Sequence, residues 1–130
     1  MFDRLKRRFG SVAGPQPTQD CMKNAVQIAS LAIHEGINPT IHDVKTPKGR
    51  HAYLEVGGQV SSKGVTWGTD FYPELNRDQI NSLGGMDVTK QLLSDAINPE
   101  NDIYGYHRVL ERIEREVPGI TASVKQYLKK

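Results

Sequence analysis

Apolar positions recur at helical spacing between Asp20 and Glu35, where Met22, Ala25, Ile28, Ala29, Ala32 and Ile33 line one face. Val26 and Leu31 widen that face, which predicts a central, buried helix. Asp20 is a suitable N-cap and Gly36 a suitable residue just past the C-terminus. Upstream, Met1–Phe9 predicts a short amphipathic helix, with Phe2, Leu5 and Phe9 among Arg4, Lys6, Arg7 and Arg8. Gly14, Pro15 and Pro17 make Gly10–Gln19 an irregular loop.

The period then changes to two. Asn38–Lys45 predicts a strand, Thr46–Gly49 a turn and Arg50–Val56 a second strand. In the second, Ala52, Leu54 and Val56 share one face, and His51, Tyr53 and Glu55 the other. Gly57–Gly64 reads as a loop and Val65–Tyr72 as a third strand.

Helical signals return after residue 75. Asn76 and Gln79 form a capping-box pattern for a short helix that Gly84-Gly85 ends. Asp87 is placed to cap a helix through Val88, Leu92, Leu93 and Ala96, which stops at Asn98-Pro99. Ile103, Tyr106, Leu110, Ile113 and Val117 form a narrow core-facing stripe, broken by Pro118-Gly119 before a last short helix over Thr121–Lys130.

A chain of 130 residues bounds this to one core. The expected organisation is a basic arm and loop (1–19), a catalytic core (20–75) and a helical C-terminal part of the same domain (76–130). No stretch approaches the ~18–20 apolar residues of a membrane-spanning helix. One cysteine excludes a disulfide scaffold. The net charge of +2 arises within residues 1–20, where four basic side chains outnumber Asp3 and Asp20. The neutral remainder argues against a nucleic-acid partner. Arg4, Lys6, Arg7 and Arg8 could make weak contact with an anionic surface, without stable membrane insertion. The segment after the basic start has no apolar h-region. That predicts a cytoplasmic protein, or an effector exported without a conventional signal peptide.

The chemistry centres on Cys21. At a helix N-terminus, free amides and the helix dipole favour a thiolate. Gln16 and Gln19 lie just upstream as amide donors for an oxyanion. A hairpin centred between Val60 and Ser61 would set Asp70 directly opposite His51 and on the same face. Nucleophile, base and orienting carboxylate would then form a triad, with Glu55 or Glu74 as replacement orienters.

The ordered string is Cys21 heading a helix, Gly36-Ile37 after it, His51-Ala52-Tyr53-Leu54-Glu55-Val56 on a strand, and Gly64-Val65-Thr66-Trp67-Gly68-Thr69-Asp70. It resembles the transglutaminase-like branch of the papain-like cysteine enzymes over about residues 18–73, and small bacterial papain-like effectors, some of them glutamine deamidases, match the size. The resemblance implies an α+β, papain-like fold: a nucleophile helix on an antiparallel sheet of about three strands, followed by C-terminal helices. It implies Cys21 as nucleophile, His51 as general base and Asp70 as orienter. The expected activity is acyl transfer on the amides of a protein or peptide substrate, by hydrolysis, glutamine deamidation or transglutamination. The alternative is a catalytically inactive papain-like scaffold serving as an interaction module or inhibitor. The resemblance has departures: Asp20 and Met22 flank the cysteine where relatives often carry tryptophan, and Phe71 follows Asp70 where they often carry proline.

No cofactor is expected. His34, His42 and Asp43 match no strong metal-ligand spacing, and His107 reads as a solvated helix residue. Gly57-Gly58 and Gly84-Gly85 lack the surroundings of a phosphate loop.

Overall fold

The computed structural model describes residues 2–47, 49–61 and 75–130. Helix α1 (Phe2–Phe9) runs into a 3-10 turn (Gly10–Ala13), followed by α2 (Cys21–His34), β1 (Pro39–Thr46), β2 (Gly49–Val56) and β3 (Gln59–Ser61). Then come α3 (Arg77–Ser82), β4 (Met86–Asp87), α4 (Thr89–Ile97), α5 (Tyr106–Glu116) and α6 (Ile120–Leu128). The class is α+β: six α-helices and a four-stranded antiparallel sheet of order β3-β2-β1-β4 among the described residues.

Helix α2 is the organising element. Asp20 Oδ1 accepts from the Lys23 amide at 2.8 Å, which satisfies one of the free donors at its start. Its other end closes with Gly36 at φ +82°, where the Ile37 amide donates back to the Ala32 carbonyl at 2.8 Å. Every residue from Asn24 to Ala32 is buried. That all-round burial follows from its neighbours: β1 and β2 cover one side, while α4, α5, α6 and α1 cover others.

The basic N-terminal segment is part of this core rather than a separate arm. Leu5 is fully buried, and Phe2, Phe9 and Val12 pack against the main cluster. Arg4 and Arg8 lie 3.8 and 3.6 Å from Glu35, at the end of α2. Two of the four expected cations therefore face an acidic side chain of this chain.

The sheet carries two distinct faces. Ile41, Ala52, Leu54 and Val56 belong to the main core with α2. On the other face Val44 and Tyr53 join Ile80 of α3, with Val60 and Leu75 packed against them. The alternation along β2 thus follows the sequence pattern.

The hairpin register is a correction. β2 and β3 pair Leu54 with Ser61, Glu55 with Val60 and Val56 with Gln59. The turn is therefore Gly57-Gly58, not a centre between Val60 and Ser61. Both glycines have positive φ, +59° and +82°, the backbone that a tight two-residue hairpin turn requires. The glycine pair expected to open a long loop instead closes the strands at once. The predicted third strand, Val65–Tyr72, lies outside the described residues.

The C-terminal helices follow their signals with two adjustments. Asp87 lies in β4 and accepts from the Thr89 amide at 3.0 Å and from Thr89 Oγ1 at 2.6 Å. Thr89 Oγ1 in turn accepts from the Ile41 amide at 2.8 Å, joining α4 to β1. The apolar stripe of α5 begins at Tyr106, so Ile103 falls in the preceding loop and is 82% exposed. The capping box at Asn76 and Gln79 forms as the spacing predicts.

Candidate functional site

Cys21 opens α2 and is half-buried, packed against the main core. Its thiol pKa is raised above the ordinary value. Burial is the largest cause, and the adjacent Asp20 carboxylate adds to it. The Ala52 backbone and the first amides of α2 oppose the shift without reversing it. The shift runs opposite to the expected activation: burial first, and then the Asp20 carboxylate that caps the helix, disfavour the thiolate.

By strand alternation His51 lies on the face of β2 opposite the one that packs on α2, the helix that Cys21 opens. His51 pairs with Val44 across β1 and β2 and shares the face of Tyr53, whose ring meets the imidazole edge-on at 5.2 Å. That face looks toward α3. Cys21 lies on the α2 face, against the backbone of Ala52. Successive strand residues point to opposite sides, so the choice of residue 51 rather than 52 directs the imidazole away from the thiol. Asp70 and Glu74 lie outside the described residues.

The two amides expected at an oxyanion are committed elsewhere. Gln16 Nε2 donates to the carbonyls of Ser11 and Gly14, at 3.1 and 3.0 Å. Gln19 Nε2 donates to Asn24 Oδ1 at 3.0 Å and Gln27 Oε1 at 3.4 Å. Gln27 Nε2 reaches the Gly14 carbonyl at 2.8 Å. These bonds knit the loop 10–19 onto α2, which explains why a segment rich in glycine and proline has a defined path.

The far face of the sheet holds a buried polar cluster that spacing did not reveal. Glu55 lies beside His42 Nε2, at 3.2 Å, and pairs with the Arg77 guanidinium. Burial pushes the Glu55 carboxyl up, but the bonds from Arg77 and His42 outweigh it and hold the pKa below the ordinary value. A cleft lined by Glu55, Val60, Leu75 and Arg77 opens beside the cluster. The shared face of His51, Tyr53 and Glu55 was visible in the alternation; its partners His42 and Arg77 come from other elements.

The histidines considered for a metal are dispersed. His34 Nδ1 lies 2.8 Å from Ser123 Oγ, and His42 engages Glu55. His107 is half-buried and not merely solvated: its Nδ1 bonds the Ala96 carbonyl at 2.9 Å, tying α5 to α4. Among the described residues no group of three or more acidic, histidine or cysteine side chains could hold a metal ion.

Near Cys21, on the α2 side, Tyr104 and Tyr106 stack with ring centroids 5.7 Å apart. Burial, and then the charges of Asp20 and Asp95 among others, push the Tyr106 hydroxyl up to about 12. Among the described residues no helix is long and apolar enough to cross a membrane. Comparison of the chain with protein-family models, curated proteins and solved structures finds no match.

Proposed function

We propose that this chain acts as a non-catalytic protein-interaction module, and that Cys21 is a packing residue rather than a nucleophile. The observation that carries the reading is that His51 shares the Tyr53 face of β2, whereas Cys21, at the start of α2, packs with the core that Ala52, Leu54 and Val56 form on the other face. Acyl transfer by a thiol needs a base within hydrogen-bond reach, or a thiol pKa low enough to dispense with one. Here the thiol pKa is raised, and the Gln16 and Gln19 amides bond the protein's own carbonyls and side-chain oxygens. A protein partner also agrees with the large apolar side chains left in water, Ile103, Tyr104 and Met86.

Thiol chemistry tests the reading directly. Alkylation of Cys21 by iodoacetamide should be slow at pH 6 and still climbing between pH 8 and 9. Incubation with glutamine-rich proteins should yield neither the mass change of about one dalton that deamidation gives nor cross-linked product. Rapid alkylation at pH 6, or turnover that Cys21→Ala abolishes, would restore the acyl-transfer enzyme and remove the module.

A further inference from the structure

We infer that β4 and the α4–α5 loop form a docking surface for a protein segment carrying a basic side chain beside an aliphatic one. The inference rests on the interaction-module reading and names its surface and the chemistry of its partner. Ile103, Tyr104 and Met86 are 82%, 65% and 62% exposed, a concentration of apolar area that water does not favour.

The loop that presents them is held rather than loose. The Asp102 carboxylate accepts from the His107 amide at 3.0 Å and the Arg108 amide at 3.2 Å, capping α5. His107 bonds the Ala96 carbonyl, and the Glu100 amide donates to Asn98 Oδ1 at 3.0 Å. A loop fixed at both ends offers its exposed side chains at little ordering cost on binding.

Two hollows meet at Asp95, Tyr104 and Tyr106. One, of about 270 Å³, has Met22, Met86, Val88 and Leu92 on its apolar side and Asp43, Arg50, Gln91 and Asp95 among its polar lining. It suits an aliphatic side chain, and methionines adapt to its shape. The other, of about 190 Å³, is lined by Asp95, Glu100 and Asp102 and, among the described residues, by no lysine or arginine.

Charge decides the occupant. Asp102 is spent on the α5 amides, with Arg108 3.9 Å away. Asp95 and Glu100 have no ion pair among the described residues. Arg50, at the edge of the larger hollow, is bound to Asp43, and Lys23 lies against Gly105. Two uncommitted carboxylates beside a stacked tyrosine pair suit a guanidinium or ammonium, through ion pairing and contact with the ring faces.

The test uses the full chain, isotope-labelled, titrated with acetyl-Leu-Arg-amide and separately with acetyl-Leu-Glu-amide. The arginine probe should shift amides of residues 86–95 and 98–106, and the glutamate probe should not. Asp95→Asn and Tyr104→Ala should each weaken the arginine probe about fivefold or more, with unchanged circular dichroism. Equal responses to both probes, shifts elsewhere, no binding, or indifference to Tyr104→Ala would overturn the assignment. So would self-association abolished by Tyr104→Ala, since the surface would then belong to a second copy.

A selection from a random peptide library separates this inference from the reading beneath it. Enriched basic-aliphatic peptides that lose binding in Tyr104→Ala support both. Enriched peptides that bind the Tyr104→Ala chain equally well overturn the surface and leave the module standing. Absence of enrichment together with Cys21-dependent turnover overturns both.

Discussion

Arg77, the first residue of α3, pairs with the Glu55 carboxylate of β2, while Glu55 also meets His42 of β1. One buried carboxylate thereby joins two strands to the helix that covers them. Replacing the carboxylate by an amide leaves His42 and Arg77 one neutral acceptor oxygen in place of two charged ones and sets an NH2 donor against one of them. Glu55→Gln should therefore cost about 1.5–3 kcal/mol at pH 7, read as a lower midpoint in urea.

The same pair sets a pH dependence. The folded-state pKa of Glu55 is held below its ordinary value, so folding favours the ionised form. Its contribution is fully present above the ordinary carboxylate range and disappears as pH falls through the folded-state value. The stability gap between wild type and Glu55→Gln should be constant from pH 6 to 7 and close below pH of about 4. A gap unchanged down to pH 3 would mean that Glu55 acts by shape rather than by charge.

Gly57 and Gly58 form the hairpin turn at φ +59° and +82°. Gly57→Asn should be tolerated, because asparagine enters the left-handed region readily. Gly58→Val should destabilise by about 1–2 kcal/mol, because a β-branched side chain does not. Equal melting temperatures for the two variants would count against a two-residue turn.

The burial of Leu5 makes α1 a structural element rather than a tether. Leu5→Ala should cost about 2–5 kcal/mol in chemical denaturation. Lys6→Ala and Arg7→Ala, on exposed positions, should stay within about 0.5 kcal/mol of wild type. A negligible loss for Leu5→Ala would detach the segment from the core.

Glu114 of α5 accepts from the amides of Gly119 at 2.7 Å and Thr121 at 2.9 Å, across the Pro118-Gly119 break. Gly119 has no side chain to cap α6, so Glu114 satisfies those donors from the preceding helix. These backbone bonds hold the Glu114 pKa below its ordinary value. Glu114→Ala should cost about 1 kcal/mol, and amide exchange should quicken first at Gly119 and Thr121.

Local signals determined much of the architecture. The cap at Asp20, the C-terminal glycine at position 36, the capping box at Asn76 and the alternation along β2 each depend on a few neighbouring residues, and each has its expected structural counterpart. These are short-range interactions, in which backbone donors, glycine conformations and side-chain periodicity act within one or two turns of chain. The sequence by itself therefore determined an α+β chain built around one buried helix.

The candidate site depended on a different kind of information. Cys21 heads α2 and His51 lies on β2, as their spacing predicts, yet a catalytic pair also requires both side chains on the same side of the sheet. That side is decided by which face of β2 meets α2, and the larger apolar set of Ala52, Leu54 and Val56 claims it. Likewise, Glu55 gains its partners from β1 and α3, and the exposed Met86 and Tyr104 become neighbours only when β4 and the α4–α5 loop come together. Tertiary packing decides these contacts because burying apolar area outweighs the weaker preference of any single polar pair, and no local pattern records which faces will meet.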